Sequence, residues 1–171
     1  MVKERRPSTA AEANALASGI RLRIIRLTLT EALTNKELAD LLGKDPATTL
    51  HHVRKLVDTG FLEPQPPRKG TRGAKEIPYL STGLFRDLSN AGQSQVGEAM
   101  LEAYLAEIAE IDIADVDQTA GVLRLGKAQQ EELMRRMLEL AEEFRDRPVD
   151  PDAEPMAIYI ATYPARTVPL H

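Results

Sequence analysis

The 171-residue chain contains no cysteine, which excludes a disulfide framework and any thiolate metal site. It lacks an apolar run approaching about 18 residues, so no transmembrane helix is expected. Its first ten residues, MVKERRPSTA, are basic, but no apolar stretch follows them, so they do not read as a secretory signal. The expectation is a soluble cytoplasmic protein. A phosphate-cradling glycine loop, a Ser or Cys nucleophile motif and a His-Glu pair at zinc spacing are all missing. No enzymatic activity and no cofactor are therefore expected. Histidine is scarce too, with only His51, His52 and His171. The acidic stretch Glu107, Glu110, Asp112, Asp115, Asp117 is the one conceivable cation site. Its spacing fits no calcium loop; it reads as a solvated helix end, and no metal is expected. There is no internal repeat or low-complexity tract. The length suits one domain, or one domain with an appended lobe, and such a chain buries roughly 70% of its extended surface on folding.

Charge is divided unevenly. Residues 1–86 carry 15 Lys and Arg against 9 Asp and Glu, whereas residues 87–171 carry 7 against 17. The basic half suits a polyanion, because neutralised phosphates release condensed counterions. The acidic half would repel one and should face away from it.

The most informative stretch is Thr34 to Gly60, TNKELADLLGKDPATTLHHVRKLVDTG. Thr34 with Glu37 three residues later is a capping box at a helix start. Leu38, Leu41 and Leu42 then fall on one face, and Gly43 stops the helix by taking the left-handed angle its end needs. Asp45 followed by Pro46 starts a second helix. Thr49, Val53, Leu56 and Val57 form its inner stripe, and Gly60 closes it. Two helices joined by such a short glycine turn are a helix-turn-helix, whose second helix is of the kind that enters the DNA major groove.

Three motifs extend this pattern: Ala-Leu-Ala-x-x-x-Arg-Leu-Arg-Ile-Ile at Ala15 to Ile25, Asn-Lys-Glu-Leu-Ala at Asn35 to Ala39, and His-His-Val-Arg-Lys-Leu at His51 to Leu56. With the flanking segments, residues 10–82 resemble the ArsR/SmtB-like winged-helix transcriptional regulators. The resemblance implies a homodimer on double-stranded DNA, usually repressing, and a first helix that shares in the dimer contact. Many such regulators sense metals through Cys pairs or Asp/His sets on terminal helices. Without Cys, this chain resembles a non-metal-sensing type with an extra C-terminal lobe. The family reads bases from the first turns of the recognition helix, so Ala47, Thr48, Leu50 and His51 are the matching positions. Leu50 stands where the family usually has Ser; an apolar side chain there suits a thymine methyl. Arg54 and Lys55 are expected on phosphates, setting register. His52 reads equally as a packed, hydrogen-bonded histidine or as a DNA contact.

Elsewhere the expectations follow from periodicity and turn chemistry. Residues 1–9 read as a disordered N-terminus and residues 10–82 as the winged helix-turn-helix domain. Within it, a helix over Ala10 to Ala17 has little apolar bulk. A mostly buried helix over Ile20 to Thr30 has Arg21, Arg23 and Arg26 on a side that reads as solvated or as touching phosphate. The hairpin at Phe61 to Leu80 has a basic, glycine-rich tip, RKGTRGAK, and Arg68, Lys69, Arg72 and Lys75 are expected on DNA. Residues 83–92 read as a linker, with Leu84, Phe85 and Leu88 lying over the winged-helix body. In residues 93–171, the helix Gln93 to Ile111 has two apolar bands, implying burial in its own core and against a partner. Val96, Met100, Ala103 and Tyr104 are the expected dimer interface. The remainder reads as a small strand-helix-strand lobe: Gly121 to Leu125, Lys127 to Arg147 and Met156 to Tyr163.

The fold class expected is mainly α with a small β component. The expected function is a sequence-specific DNA-binding regulator; the C-terminal lobe would widen the dimer interface, sense a small molecule, or both, and the sequence reveals no effector. Two rivals stand beside it: a protein-binding winged-helix adaptor working through the acidic lobe, and a ligand-binding module whose DNA half is secondary.

Overall fold

A computed structural model of the chain describes residues 5–70, 73–90, 92–148 and 152–165. It divides into two units, Glu4–Ile113 and Ala114–His171. The first opens with a two-residue strand, β1 (Arg6–Pro7), followed by helices α1 (Ala10–Leu16) and α2 (Gly19–Leu27). Disorder was expected up to residue 9, but residues 5–9 are tied down. Arg6 pairs in parallel with Leu88 of β7 (Leu88–Ser89), and its guanidinium donates to both Glu12 oxygens at 2.9 and 2.6 Å. Glu12 also closes a capping box with Thr9: the Thr9 N–H reaches its carboxylate at 2.7 Å, and the Glu12 N–H reaches Thr9 Oγ1 at 3.2 Å. The Arg6 hydrogen bond, then the Thr9 backbone bond, hold the Glu12 carboxyl down at about 2.

Helix α1 buries more than its composition suggests. Ala13, Ala15 and Leu16 all enter the core, because small side chains let its backbone sit close to α2. Helix α2 ends at Leu27, three residues short of Thr30. The buried Thr28 hydroxyl donates back to the Ile24 carbonyl at 2.8 Å, a bond that competes with further helix, and Leu29 is left exposed.

Strand β2 (Leu33–Thr34) leads into α3 (Asn35–Leu42) and α4 (Pro46–Asp58). The caps are those expected. Thr34 and Glu37 form the reciprocal box, and Gly43 ends α3 at φ 59°. Asp45 Oδ1 accepts from the N–H groups of Ala47 and Thr48 at 2.8 and 3.1 Å. Gly60, φ 78°, turns the chain after α4, a backbone angle that L side chains avoid. One position differs: Leu41 is 54% exposed, and Ala39 joins Leu38 and Leu42 inside. At about 100° of helix turn per residue, Leu41 falls on the far side of Leu38 from that stripe.

The hairpin consists of β3 (Leu62–Pro64), β4 (Arg68–Lys69), β5 (Lys75–Glu76) and β6 (Pro78–Ser81). Strand β6 is central, with β2 and β3 antiparallel on either side. Pro64 sits on an edge strand and Pro78 opens the central one, the two places where a missing N–H costs least. After the hairpin, a 3-10 turn (Leu84–Asp87) and β7 return the chain to β1. Leu88 enters the core, and Leu84 and Phe85 pack against it.

Helix α5 (Ser94–Ile108) packs along α2 and buries Val96, Ala99 and Ala103. With Leu16, Ile24, Leu38, Val53, Leu56 and Phe61 these form one continuous core. The α2–α5 seam also contains ion pairs. Arg23 reaches Glu110 at 2.8 Å, and Arg26 reaches Glu107 at 2.8 Å. These arginines are therefore engaged in ion pairs and do not form a free solvated face, and two carboxylates of the acidic stretch are partners of α2.

The second unit is built on helix α6 (Lys127–Arg145). The strands expected at Gly121 to Leu125 and Met156 to Tyr163 do not form; both segments lack regular structure. Val122, Leu123, Met156, Ile158 and Tyr163 are exposed. Alternating apolar residues favour a strand only when a ladder partner is present, and among the described residues neither segment has one. Helix α6 buries no residue. Surface pairs along it, Arg135 with Glu132 and Glu139 at 2.5 Å and Arg136 with Glu132 at 2.6 Å, add modest local support.

Candidate nucleic-acid interface

The Thr49, Val53 and Leu56 side of α4 is buried against the unit's core. A helix with one side so anchored presents the opposite side as a fixed surface. Ala47, Thr48, His51 and Arg54 are exposed there, and Leu50 and Lys55 are half-buried. The structure thus brings together all six residues that the sequence selected on this helix. Its first turn is held at two further points. Thr49 Oγ1 donates to the Asp45 carbonyl at 3.0 Å. Asn35 Nδ2, from the start of α3, donates to the Pro46 carbonyl at 2.9 Å. Asn35 was not singled out from the sequence, because nothing local shows that its amide crosses to the next helix.

His52 points sideways and is half-buried. Its ring meets that of His51 edge-on, 5.9 Å between centroids, and among the described residues its Nδ1 has no hydrogen-bond partner. It is packed, but not hydrogen-bonded at that nitrogen. Burial first, then the Arg21 charge and the neighbouring His51, push its pKa below the usual histidine value. Arg21 itself is engaged with the end of α1: its Nη2 donates to the Asn14 carbonyl at 2.8 Å, and its Nε donates to the Ala15 carbonyl.

The wing is less uniform than its composition. Arg68 lies opposite Glu76 in the β4–β5 register, and Lys69 lies opposite Lys75. Arg68 is paired with Glu37 of α3. Lys69 and Lys75 are exposed, and among the described residues neither has an ion-pair partner. Arg72 lies outside the described residues, as does His171. Glu37 was legible in the sequence as a cap; its second partner, 31 positions away, was not. The Thr34 N–H donates to Glu37 Oε2 at 2.8 Å. That backbone bond, ahead of Arg68, lowers the Glu37 carboxyl below the ordinary range.

Residues 16–65 match a family model described as "Helix-turn-helix domain". This span contains α2, α3, α4 and the start of the hairpin, the same elements that build the exposed surface. No curated protein matches the chain. Among solved structures it is similar to the ZitR C30AH42A mutant of Lactococcus lactis, at 16% identity over 74% of this chain and 75% of that one, with a TM-score of 0.36. It is also similar to the S. aureus MepR F27L mutant bound to an oligodeoxyribonucleotide, at 15% identity over 77% and 78%, TM-score 0.32. A third is a MarR transcriptional regulator from Methanosarcina mazei, at 20% identity over 74% and 76%, TM-score 0.33.

The expected dimer residues are placed in two ways. Val96 and Ala103 are 1% and 2% exposed, inside the core that joins α5 to the helix-turn-helix domain. They have no surface left for a partner. Met100 is on the rim and Tyr104 is half-buried. The band that α5 turns outward includes Leu101 and Leu105, 46% and 54% exposed. Helical spacing indicated that two bands exist, but not which one the core would take. Among the described residues, no helix is long and apolar enough to cross a membrane.

Proposed function

We propose that this protein is a sequence-specific DNA-binding transcriptional regulator of the ArsR/SmtB-like type, a cytoplasmic repressor without a metal site. The single observation that supports this most is the exposed side of α4. It is rigid, because its other side is core, and it stands in the same unit as the cationic hairpin. On this reading Ala47, Thr48, Leu50 and His51 meet base edges, and the Leu50 side chain sits against a thymine methyl. Arg54 and Lys55 hold phosphates and set register. The exposed α5 band of Met100, Leu101 and Leu105 pairs two copies, and two α4 helices then enter successive major grooves about 34 Å apart on a near-palindromic operator. No enzymatic step is part of this reading.

The test is equilibrium binding to the duplex upstream of the protein's own gene across a salt series. Wild type should lose affinity steeply with salt. Arg54→Ala should weaken binding to all sequences and reduce the salt slope by about 1. Leu50→Ala should change sequence preference, leaving the slope alone. Equal affinities of wild type and Arg54→Ala at every salt concentration would count decisively against this function.

A further inference from the structure

The wing's described cations, Arg68, Lys69 and Lys75, divide into two kinds. Lys69 and Lys75 face each other across β4 and β5 with no ion-pair partner among the described residues. Like charges directly opposite in an antiparallel pair are destabilising. The arrangement is relieved by an anion that both can reach, and a backbone phosphate has that charge. Arg68 is situated differently. Its guanidinium is paired with Glu37, and Glu76 lies opposite it in the register. The Glu76 carboxylate is folded inward over the hairpin, where it would overlap a Cβ placed on Gly70. Glu37 in turn is not a free surface carboxylate. Its Oε2 accepts from the Thr34 N–H at 2.8 Å and from Thr34 Oγ1 at 2.9 Å, while its Oε1 takes Arg68. One side chain thus joins the first turn of α3 to the first residue of β4.

We propose that Arg68 is a positioning residue and not a phosphate contact: held by Glu37, it fixes the wing beside the helix-turn-helix, and the opposed Lys69 and Lys75 take the phosphate. This rests on the DNA-binding function above and deepens it. The geometry favours the division because a guanidinium must leave Glu37 before it can reach a phosphate, whereas the two lysines need leave nothing. The Glu37 carboxylate is fixed by its cap bonds and cannot follow.

The experiment measures binding of the full chain to a short mixed-sequence DNA duplex over a salt series, with thermal melting of each variant. Lys69→Ala and Lys75→Ala should each lower the salt slope by about 1. Arg68→Ala should weaken binding roughly two- to fivefold, the range an exposed ion pair supports, with the slope unchanged. Glu37→Gln keeps the capping box, since Gln serves there as well as Glu, yet loses the charge. It should weaken binding to the same degree, and the double variant no further. A reduced slope for Arg68→Ala, or tighter binding by Glu37→Gln through a released arginine, overturns the proposal. So does unchanged affinity of Arg68→Ala, which would make the pair merely structural. Salt-independent or absent binding by wild type would instead defeat the DNA-binding function itself.

Discussion

The backbone N–H of Gly19 donates to Glu102 Oε2 at 3.2 Å, across 83 positions of sequence. Helix α2 starts after Ser18, whose side chain makes no cap hydrogen bond, and the orphan N–H is satisfied by a carboxylate from α5. A Cβ on Gly19 would lie 2.8 Å from the Glu102 Cδ. Gly19→Ala should therefore push the carboxylate off the helix start, and Glu102→Ala should remove it. Each should cost about 0.5–1 kcal/mol, and the double variant should cost little more than either alone. Additive losses in urea denaturation would show that the contact is not shared.

Arg23 and Arg26 give a second check on the seam. The Arg23 side chain is only 13% exposed and has Glu110 at 2.8 Å, so Arg23→Ala leaves a carboxylate unpaired and an internal gap. Arg26 is more exposed, and exposed pairs contribute little. We expect Arg23→Ala to cost about 1–2 kcal/mol and Arg26→Ala under about 1 kcal/mol. Neither should alter the salt dependence of DNA binding. A reduced salt slope in either variant would return these arginines to the interface.

His52 makes stability depend on pH. Its folded-state pKa lies below the usual 6.5, because burial and the neighbouring Arg21 and His51 disfavour the cation. As pH falls below 6.5 the unfolded chain takes up a proton that the folded chain resists, so this contribution to stability is present above that pH and is lost on acidification. Glu107 is raised above the usual 4.5 by burial, against the pull of Arg26 and Arg23, and acts in the opposite direction. The informative quantity is therefore the difference between wild type and His52→Gln. The urea midpoint of wild type should drop more than that of His52→Gln between about pH 7.5 and about pH 5.5. Parallel curves would mean that His52 titrates normally.

The outward α5 band predicts how the chain associates. Leu105→Glu places a charge where an apolar contact is expected and should turn a sedimenting dimer into a monomer, weakening DNA binding through lost bivalency. Val96→Glu should unfold the chain instead, since Val96 is 1% exposed in its own core. A wild-type monomer, or a dimer untouched by Leu105→Glu, would remove α5 from the interface.

The helix-turn-helix itself was legible because its signals are short-range. Thr34 with Glu37, Asp45 with Pro46, and the turns at Gly43 and Gly60 each act within a few residues, so periodicity and caps suffice to place α3 and α4. The buried stripe of α4 followed, and with it the exposed Ala47, Thr48, His51 and Arg54. The paired strands around the basic tip were legible for the same reason, since prolines and glycines mark where pairing stops.

Tertiary structure decided everything that needs a distant partner. It assigned Arg68 to Glu37, Arg26 to Glu107 of α5, Arg23 to Glu110 just beyond it, and the Gly19 N–H to Glu102. It chose Val96 and Ala103 over Leu101 and Leu105 for the core, and it left 121–125 and 156–163 without a ladder. An ion pair, a packed helix face and a strand pairing each depend on which remote segment arrives beside them, and residue type alone carries no record of that.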